Sequence, residues 1–208
     1  MARAAAKAVE AKPETKSMLL EAAKQVLHQN GLSGLSTRDV ALSAGVPLSQ
    51  IHYHFGSKQG MVLALFEYMN DQLLDRQNAL FSDPLLKLSE QWDRACDYLE
   101  DDLKSGYVRV LQELIAAGFA DQTVAKVIRA GIAGWVDLIA GLARKAEREF
   151  GPLGPFAAEE VAALIANAFI GAESLYLLGL EKKGPPVRRS LRRIGDLIRV
   201  AEGQKAKR

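Results

Sequence analysis

Residues 36–58 read STRDVALSAGVPLSQIHYHFGSK, and the punctuation of this stretch decides how the rest of the chain is read. Ser36 and Asp39 have the spacing of a helix N-cap and its third-residue partner, so a helix opens at Thr37. Gly45-Val46-Pro47 ends it near Ala44, because glycine turns the chain and proline cannot continue a helix. A short helix from Leu48 to Phe55 follows and stops at Gly56. Two short helices joined in this way need a small residue where they touch and apolar anchors behind the second. Ala41 is the small contact, and Val40, Val46, Ile51 and Phe55 are the anchors. Ile51 and Phe55 are four apart and share the inward face. That leaves Leu48, Ser49 and His52 outward, with Gln50 and Tyr53 on the flanks. The first residues of such a helix suit a DNA major groove, where Ser and Gln hydrogen-bond base edges and Leu meets a thymine methyl. A helical hairpin inside a bundle is the competing reading of the same residues.

Working outward, residues 1–13 are rich in Ala and Lys and read as a basic flexible tail ending at Pro13. Leu19, Ala22, Ala23, Val26 and Leu27 set a first helix over about 14–29, stopped by Asn30-Gly31. Beyond the motif, Ser57 caps a long helix with the stripe Val62, Leu65, Phe66, Met69 and Leu73. Asp83-Pro84 is expected to start the next, with Leu85, Leu88, Trp92, Cys96, Leu99 and Leu103 on one face. Two helices fill 106–150, divided around 118–121. The loop Gly151-Pro152-Leu153-Gly154-Pro155 leads to helices over 157–182 and 187–201, separated by Gly184-Pro185-Pro186. No segment alternates with period two, so the fold class is all-α with about nine helices. The expected domains are a helix-turn-helix head at 14–60 and a helical body at 61–208.

Composition narrows the function classes. Of 208 residues, 49% are hydrophobic and 25% charged, an ordinary globular balance. Residues 1–60 hold seven Lys/Arg against four acids, an excess of three positive charges, so the remainder comes to −1. That asymmetry has the sign of a nucleic-acid-facing head. The single cysteine, Cys96, excludes an internal disulfide, and the N-terminus lacks the apolar core of a secretory signal. The apolar stretch 161–172 is shorter than a membrane span. A cytoplasmic protein without membrane contact is the expectation. No G-x-x-x-x-G-K-[ST], G-x-S-x-G or H-E-x-x-H pattern occurs, which argues against the corresponding enzymes. His52 and His54 lie two apart on different helix faces, so no metal site is expected, and no cofactor.

With its first helix, Ser36-Thr37-Arg38-Asp39-Val40-Ala41, Ala44-Gly45-Val46 and Ile51-His52-Tyr53-His54-Phe55-Gly56-Ser57-Lys58, the chain resembles the TetR family of bacterial repressors over residues 15–70. The resemblance implies a repressor that binds a palindromic double-stranded operator as a homodimer and is released by a small-molecule effector. It places Thr37 and Arg38 beside the DNA, with Arg38 at guanine. Leu48, Ser49, Gln50 and His52 would face bases, and Tyr53, His54 and Lys58 would hold phosphates, which fix register without reading sequence. Pro47 departs from a frequent capping Ser, at the cost of a bond at the recognition-helix start. His52 departs from a frequent Tyr.

The resemblance also favours a dimer through the last two helices. Ala162, Ala166, Gly171 and Ala172 permit close packing there, and Val187, Leu191, Ile194 and Ile198 form a stripe rimmed by Arg188, Arg189, Arg192 and Arg193. An intramolecular bundle would use the same stripes. Effector-pocket candidates among the middle helices are Trp92, Cys96, Tyr107, Gln112, Phe119, Trp135, Phe169, Glu173 and Tyr176, each more readily read as ordinary core packing. Glu173, one turn after Phe169, stands out as an acid that burial would leave in need of a cationic or hydroxyl partner. A helical interaction scaffold without DNA binding is the rival function.

Overall fold

Apolar residues at helical spacing put Leu19, Ala22, Ala23, Val26 and Leu27 on the buried side of α1 (Ala2–Gly34). In this computed structural model the described residues are 2–180 and 187–205. Gly31, at φ 69° and ψ 178°, breaks the α1 path at the expected stop, and a further turn reaches Gly34. At the other end α1 begins at Ala2, so residues 2–13 are helical backbone where a flexible tail was expected. Their alanine content, the strongest helix former, is the physical reason.

Along the rest of the described chain run α2 (Thr37–Ser43), α3 (Ser49–Phe55), α4 (Lys58–Ser82), α5 (Leu88–Ser105), α6 (Tyr107–Gly118), α7 (Gln122–Phe150), α8 (Ala158–Leu177) and α9 (Val187–Lys205). Among the described residues there are nine helices and no strand, as the sequence indicates. The helix expected to have Pro84 as its first residue starts four residues later, at Leu88. Asp83 Oδ1 instead accepts from the Leu85 backbone N–H at 2.9 Å, making a turn, and Leu85 points into solvent. Residues 181–186, including the expected Gly-Pro-Pro break, lie outside the described residues.

The core is continuous from head to body. Val40, Ala41 and Ile51 join Leu19 and Leu65, and the same cluster extends to Trp92, Val108 and Phe169. α4 is the shared member: its Met61 and Leu65 are fully buried near the head, and its Asn70, Leu73 and Gln77 are buried in the body. α7 approaches α4 closely because a Cβ on Gly131 would lie 3.0 Å from the Phe66 ring and 3.4 Å from Asn70 Oδ1.

Among the described residues four polar links tie head to body, one of them the Tyr68 hydroxyl donating to the Glu21 carboxylate. Gln59 donates to Asp121 Oδ2 at 2.7 Å, Lys24 donates to Gln72 at 2.9 Å, and the His28 ring meets the Lys104 carbonyl at 3.2 Å. At the far end α9 is fastened to α5. Trp92 Nε1 donates to the Leu191 carbonyl at 2.9 Å, Ser89 donates to Glu202 from backbone and hydroxyl, and Arg192 and Arg199 pair with Asp97 and Asp93. The α9 stripe therefore packs within the chain: Leu191 is buried, and Ile194 and Ile198 lie against the core. Arg188 and Arg192, expected at an interface rim, face Glu100 and Asp97 of α5.

Candidate nucleic-acid interface and interior cavity

The α2–α3 unit is fixed by backbone chemistry at each end. Ser36 Oγ accepts the Asp39 N–H at 3.1 Å and donates to the Asp39 carboxylate at 2.6 Å. The capping box is thus closed on its outward arm only, because the Asp side chain reaches the hydroxyl and not the Ser36 N–H. At the C-terminus Gly45 adopts φ 66°, its N–H bonds Leu42 O at 3.1 Å, and Val46 N–H bonds Ala41 O at 3.0 Å. This is a Schellman closure, which needs the left-handed residue that glycine supplies. It folds Val46 back over Ala41 and aims the next helix.

At the start of α3 no side chain caps the helix. Pro47 cannot offer a hydroxyl, but its carbonyl accepts from Gln50 N–H at 2.9 Å, and Leu48 O accepts from Ile51 at 3.1 Å. The first turn is tightened in compensation. Gly56, at φ 72°, ends α3, and Ser57 Oγ accepts the Gly60 N–H at 3.0 Å to open α4.

The expected contact residues share one end of the molecule but differ in exposure. Arg38, Ser49, His52, Tyr53 and Lys58 are exposed, and Thr37, Gln50 and His54 half-buried. Leu48, expected outward, is half-buried and packs on the core, because it occupies the N-cap and not the free face of α3. His52 Nδ1 lies 3.4 Å from the Gly56 carbonyl, and Tyr53 sets its ring edge-on to His54 at 5.0 Å. Lys58, the first residue of α4, sits at the positive end of that helix dipole. Sequence reasoning passed over Leu42, which is 82% exposed at the end of α2. Its place one residue past the buried pair Val40-Ala41 was the available signal. Among the described residues no group of three His, Cys, Asp or Glu could hold a metal.

Between α4, α5, α6, α7 and α8 lies a partly open cavity of about 40 Å³. Of the nine pocket candidates, Tyr107, Trp135, Phe169 and Glu173 line it. Gln112 stands behind, donating to Glu173 at 3.3 Å and to the Ile170 carbonyl at 3.1 Å. Trp92 backs the wall, edge-on to Phe169 at 6.0 Å. The remaining three lie elsewhere. Phe119, at the turn after α6, is 83% exposed. Tyr176 lies under the Arg188 guanidinium, 4.6 Å from its ring centroid. Cys96 is half-buried beside α9, where burial pushes its thiol up to about 12.

The polar part of the cavity wall was less visible in sequence. Asp102 lines it and takes two bonds from Arg76, at 2.7 and 2.9 Å. Burial nonetheless holds the Asp102 carboxyl above its ordinary value. Gln77 accepts from Trp135 Nε1 at 2.8 Å, and Asn70 accepts from Tyr107 OH at 2.8 Å. Each aromatic with a polar tip is therefore anchored to α4. The Glu173 carboxyl is pushed up to about 7 by burial, against the lowering effect of Gln112.

Comparison with known proteins fits this geometry. Residues 19–65 match the family described as "Bacterial regulatory proteins, tetR family". A stretch of 88 residues is 34% identical to the HTH-type transcriptional regulator CymR of Pseudomonas putida, covering 42% of this chain and 41% of that relative. The chain thus spans less than half the length of the curated relative it matches. Among solved structures, a TetR-family transcriptional regulator from Agrobacterium tumefaciens superposes with a TM-score of 0.67 at 18% identity, over 90% of this chain and 97% of that one. A protein from Saccharomonospora viridis, solved in complex with choline, gives a TM-score of 0.69 at 19% identity, over 88% and 94%. At these identities the structural likeness speaks for the fold.

Proposed function

We propose that this chain, whose residues 19–65 match the tetR family of bacterial regulatory proteins, is a member of that family and a cytoplasmic, non-enzymatic transcription repressor. It binds a palindromic operator as a homodimer and releases it when a small molecule enters the body. The observation that carries the reading is the α2–Gly45–α3 unit, which presents Ser49, His52, Tyr53 and Lys58 together at one exposed end. Ser49 and Gln50, in the first turn of α3, read bases. Tyr53 and Lys58 hold phosphates, with Arg38 of α2 beside them.

The dimer forms on the outer face of α8 and α9. Between its acidic first turn and Glu173, α8 is apolar apart from Asn167. Only one side of it is covered in the chain, where Ala162, Ala166, Phe169 and Ala172 are buried. Opposite them, Leu164, Ala168, Gly171 and Leu178 are exposed, as are Leu197 and Val200 on α9. A second copy supplies the missing cover, and Leu164→Glu is expected to give a monomer on a sizing column.

The effector acts through α4. A ligand that spreads the cavity shifts the helix carrying Asn70 and Gln77, and α4 begins at Lys58 in the head. It moves the operator equilibrium only by its differential affinity for the two head spacings. The choline held by the Saccharomonospora viridis protein supports a body built to take a small molecule.

Binding of the purified chain to genomic fragments, above all those flanking its own gene, tests the reading, with Ser49→Ala/Gln50→Ala as control. The expected result is selective binding to a near-palindrome that weakens steeply as salt rises and is lost in the control. Absence of a preferred fragment, or a control that binds equally well, overturns it.

A further inference from the structure

The cavity wall combines aromatic rings with a carboxyl group that no cation among the described residues pairs with. Two acids reach this space, Asp102 and Glu173. Asp102 already has its cation, the bidentate Arg76 guanidinium. Glu173 is 9% exposed, and among the described residues no Lys, Arg or His is ion-paired with it. Among the described residues its side-chain hydrogen-bond partner is Gln112, at 3.3 Å, a long bond from a neutral amide. Trp135 and Phe169 meet edge to face at 5.4 Å beside it, and Tyr107 adds a third ring to the wall. A buried acid without a cation is costly in an apolar site, and ring faces attract positive charge.

Resting on the effector reading above, we propose that the cavity, spread by its ligand, takes an organic cation: a protonated amine on an apolar body, its ammonium on Glu173 and its body against Trp135 and Phe169. A carboxylate ligand would meet Glu173 and Asp102 with like charge. A neutral alcohol can donate a hydrogen bond to Glu173 but brings no charge to balance the buried carboxylate.

A proton balance accompanies binding. Without ligand, burial and the neighbouring Asp102 charge keep a share of Glu173 protonated near neutrality. The groups facing it are Asp102 from α5, paired to Arg76 of α4, and Tyr107 and Gln112 from α6; α7 brings only Gly131, Ile132 and Trp135 to the wall. The arriving ammonium ionises Glu173, and that proton passes to solvent.

The test is calorimetric titration of the full chain at pH 6.5 with three near-isosteric probes: 2-phenylethylammonium, 2-phenylethanol and 3-phenylpropanoate. The ammonium is expected to bind at least about tenfold tighter than the alcohol, with the anion weakest. Glu173→Gln, which keeps shape and removes charge, should erase the ammonium's advantage and leave the alcohol unchanged. If that variant does not fold, the native chain still decides: heats in buffers of differing ionisation enthalpy should show a proton released with the ammonium and none with the alcohol. Equal binding of ammonium and alcohol, preference for the anion, no binding of any probe, or an advantage that survives Glu173→Gln overturns the proposal. Selective DNA binding, measured without probe, is independent of all these outcomes, so loss of the cation reading leaves the regulator reading to its own test.

Discussion

The head and the body of this chain solve opposite problems. In the head, α2 and α3 are seven residues each, and their useful side chains face outward. Helices that short are held by their ends, and Ser36, the Schellman closure at Gly45, the Pro47 carbonyl and Ser57 each satisfy a terminal group. In the body, α4, α5, α7, α8 and α9 run 18 to 29 residues and are held by their sides. Their useful groups face inward, where Asp102 and Glu173 are buried at energetic cost. A surface that reads DNA wants rigid, solvated donors at fixed spacing. A cavity that senses a molecule gains from groups left in want of a partner.

The sharpest break of this comparison is Ile51→Ala. Ile51 is fully buried beneath α3, and its truncation should cost about 3 kcal/mol and abolish selective DNA binding. Both tryptophans, Trp92 and Trp135, lie in the body. Because the core is continuous, their fluorescence should report the same urea transition as far-UV circular dichroism. Separate transitions would show that head and body unfold as independent units.

Glu173 gives the next effect, and its sign is fixed by burial. Its pKa rises from 4.5 to about 7 on folding, so its contribution to stability is whole below 4.5 and lost as pH climbs through 7. The difference in unfolding free energy between pH 4.5 and pH 8 should shrink by up to about 3 kcal/mol in Glu173→Gln. A variant with the native pH profile would place the titration elsewhere.

Ser36→Ala removes the α2 cap and should cost about 1 kcal/mol, seen as a lower thermal midpoint and weaker operator binding with cavity ligands unaffected. An unchanged midpoint would mean that α2 is held by packing alone. Smallest of all, Phe119→Ser should change stability by under about 0.5 kcal/mol, because the ring is already in solvent, and should leave probe binding as it was. A marked loss of probe affinity would return Phe119 to the cavity.

Much of the head was legible in the sequence because its determinants are local. Ser36, Asp39, Gly45 and Ser57 act on backbone groups within a few residues, so their spacing alone predicts the caps and turns that form. Leu48 failed because a one-residue shift in the α3 start moved it from free face to N-cap. Asp83-Pro84 failed because an Asx turn competes with helix initiation for the same residue types. The small residues of α8 were recognised, but Ala162 and Ala166 serve packing inside the chain and leave the outer face to Leu164 and Gly171.

By itself, then, the sequence determined an all-helical chain, the caps and turn of its head, and the order of its long helices, since each depends on residues within one or two turns. Only the tertiary structure decided that Phe119 is outside and Asp102 inside, that Arg192 belongs to Asp97, and that Glu173 shares a cavity wall with three aromatic rings and pairs with no cation among the described residues. Those facts join residues tens of positions apart, and helical periodicity fixes which face a side chain takes without fixing what that face will meet.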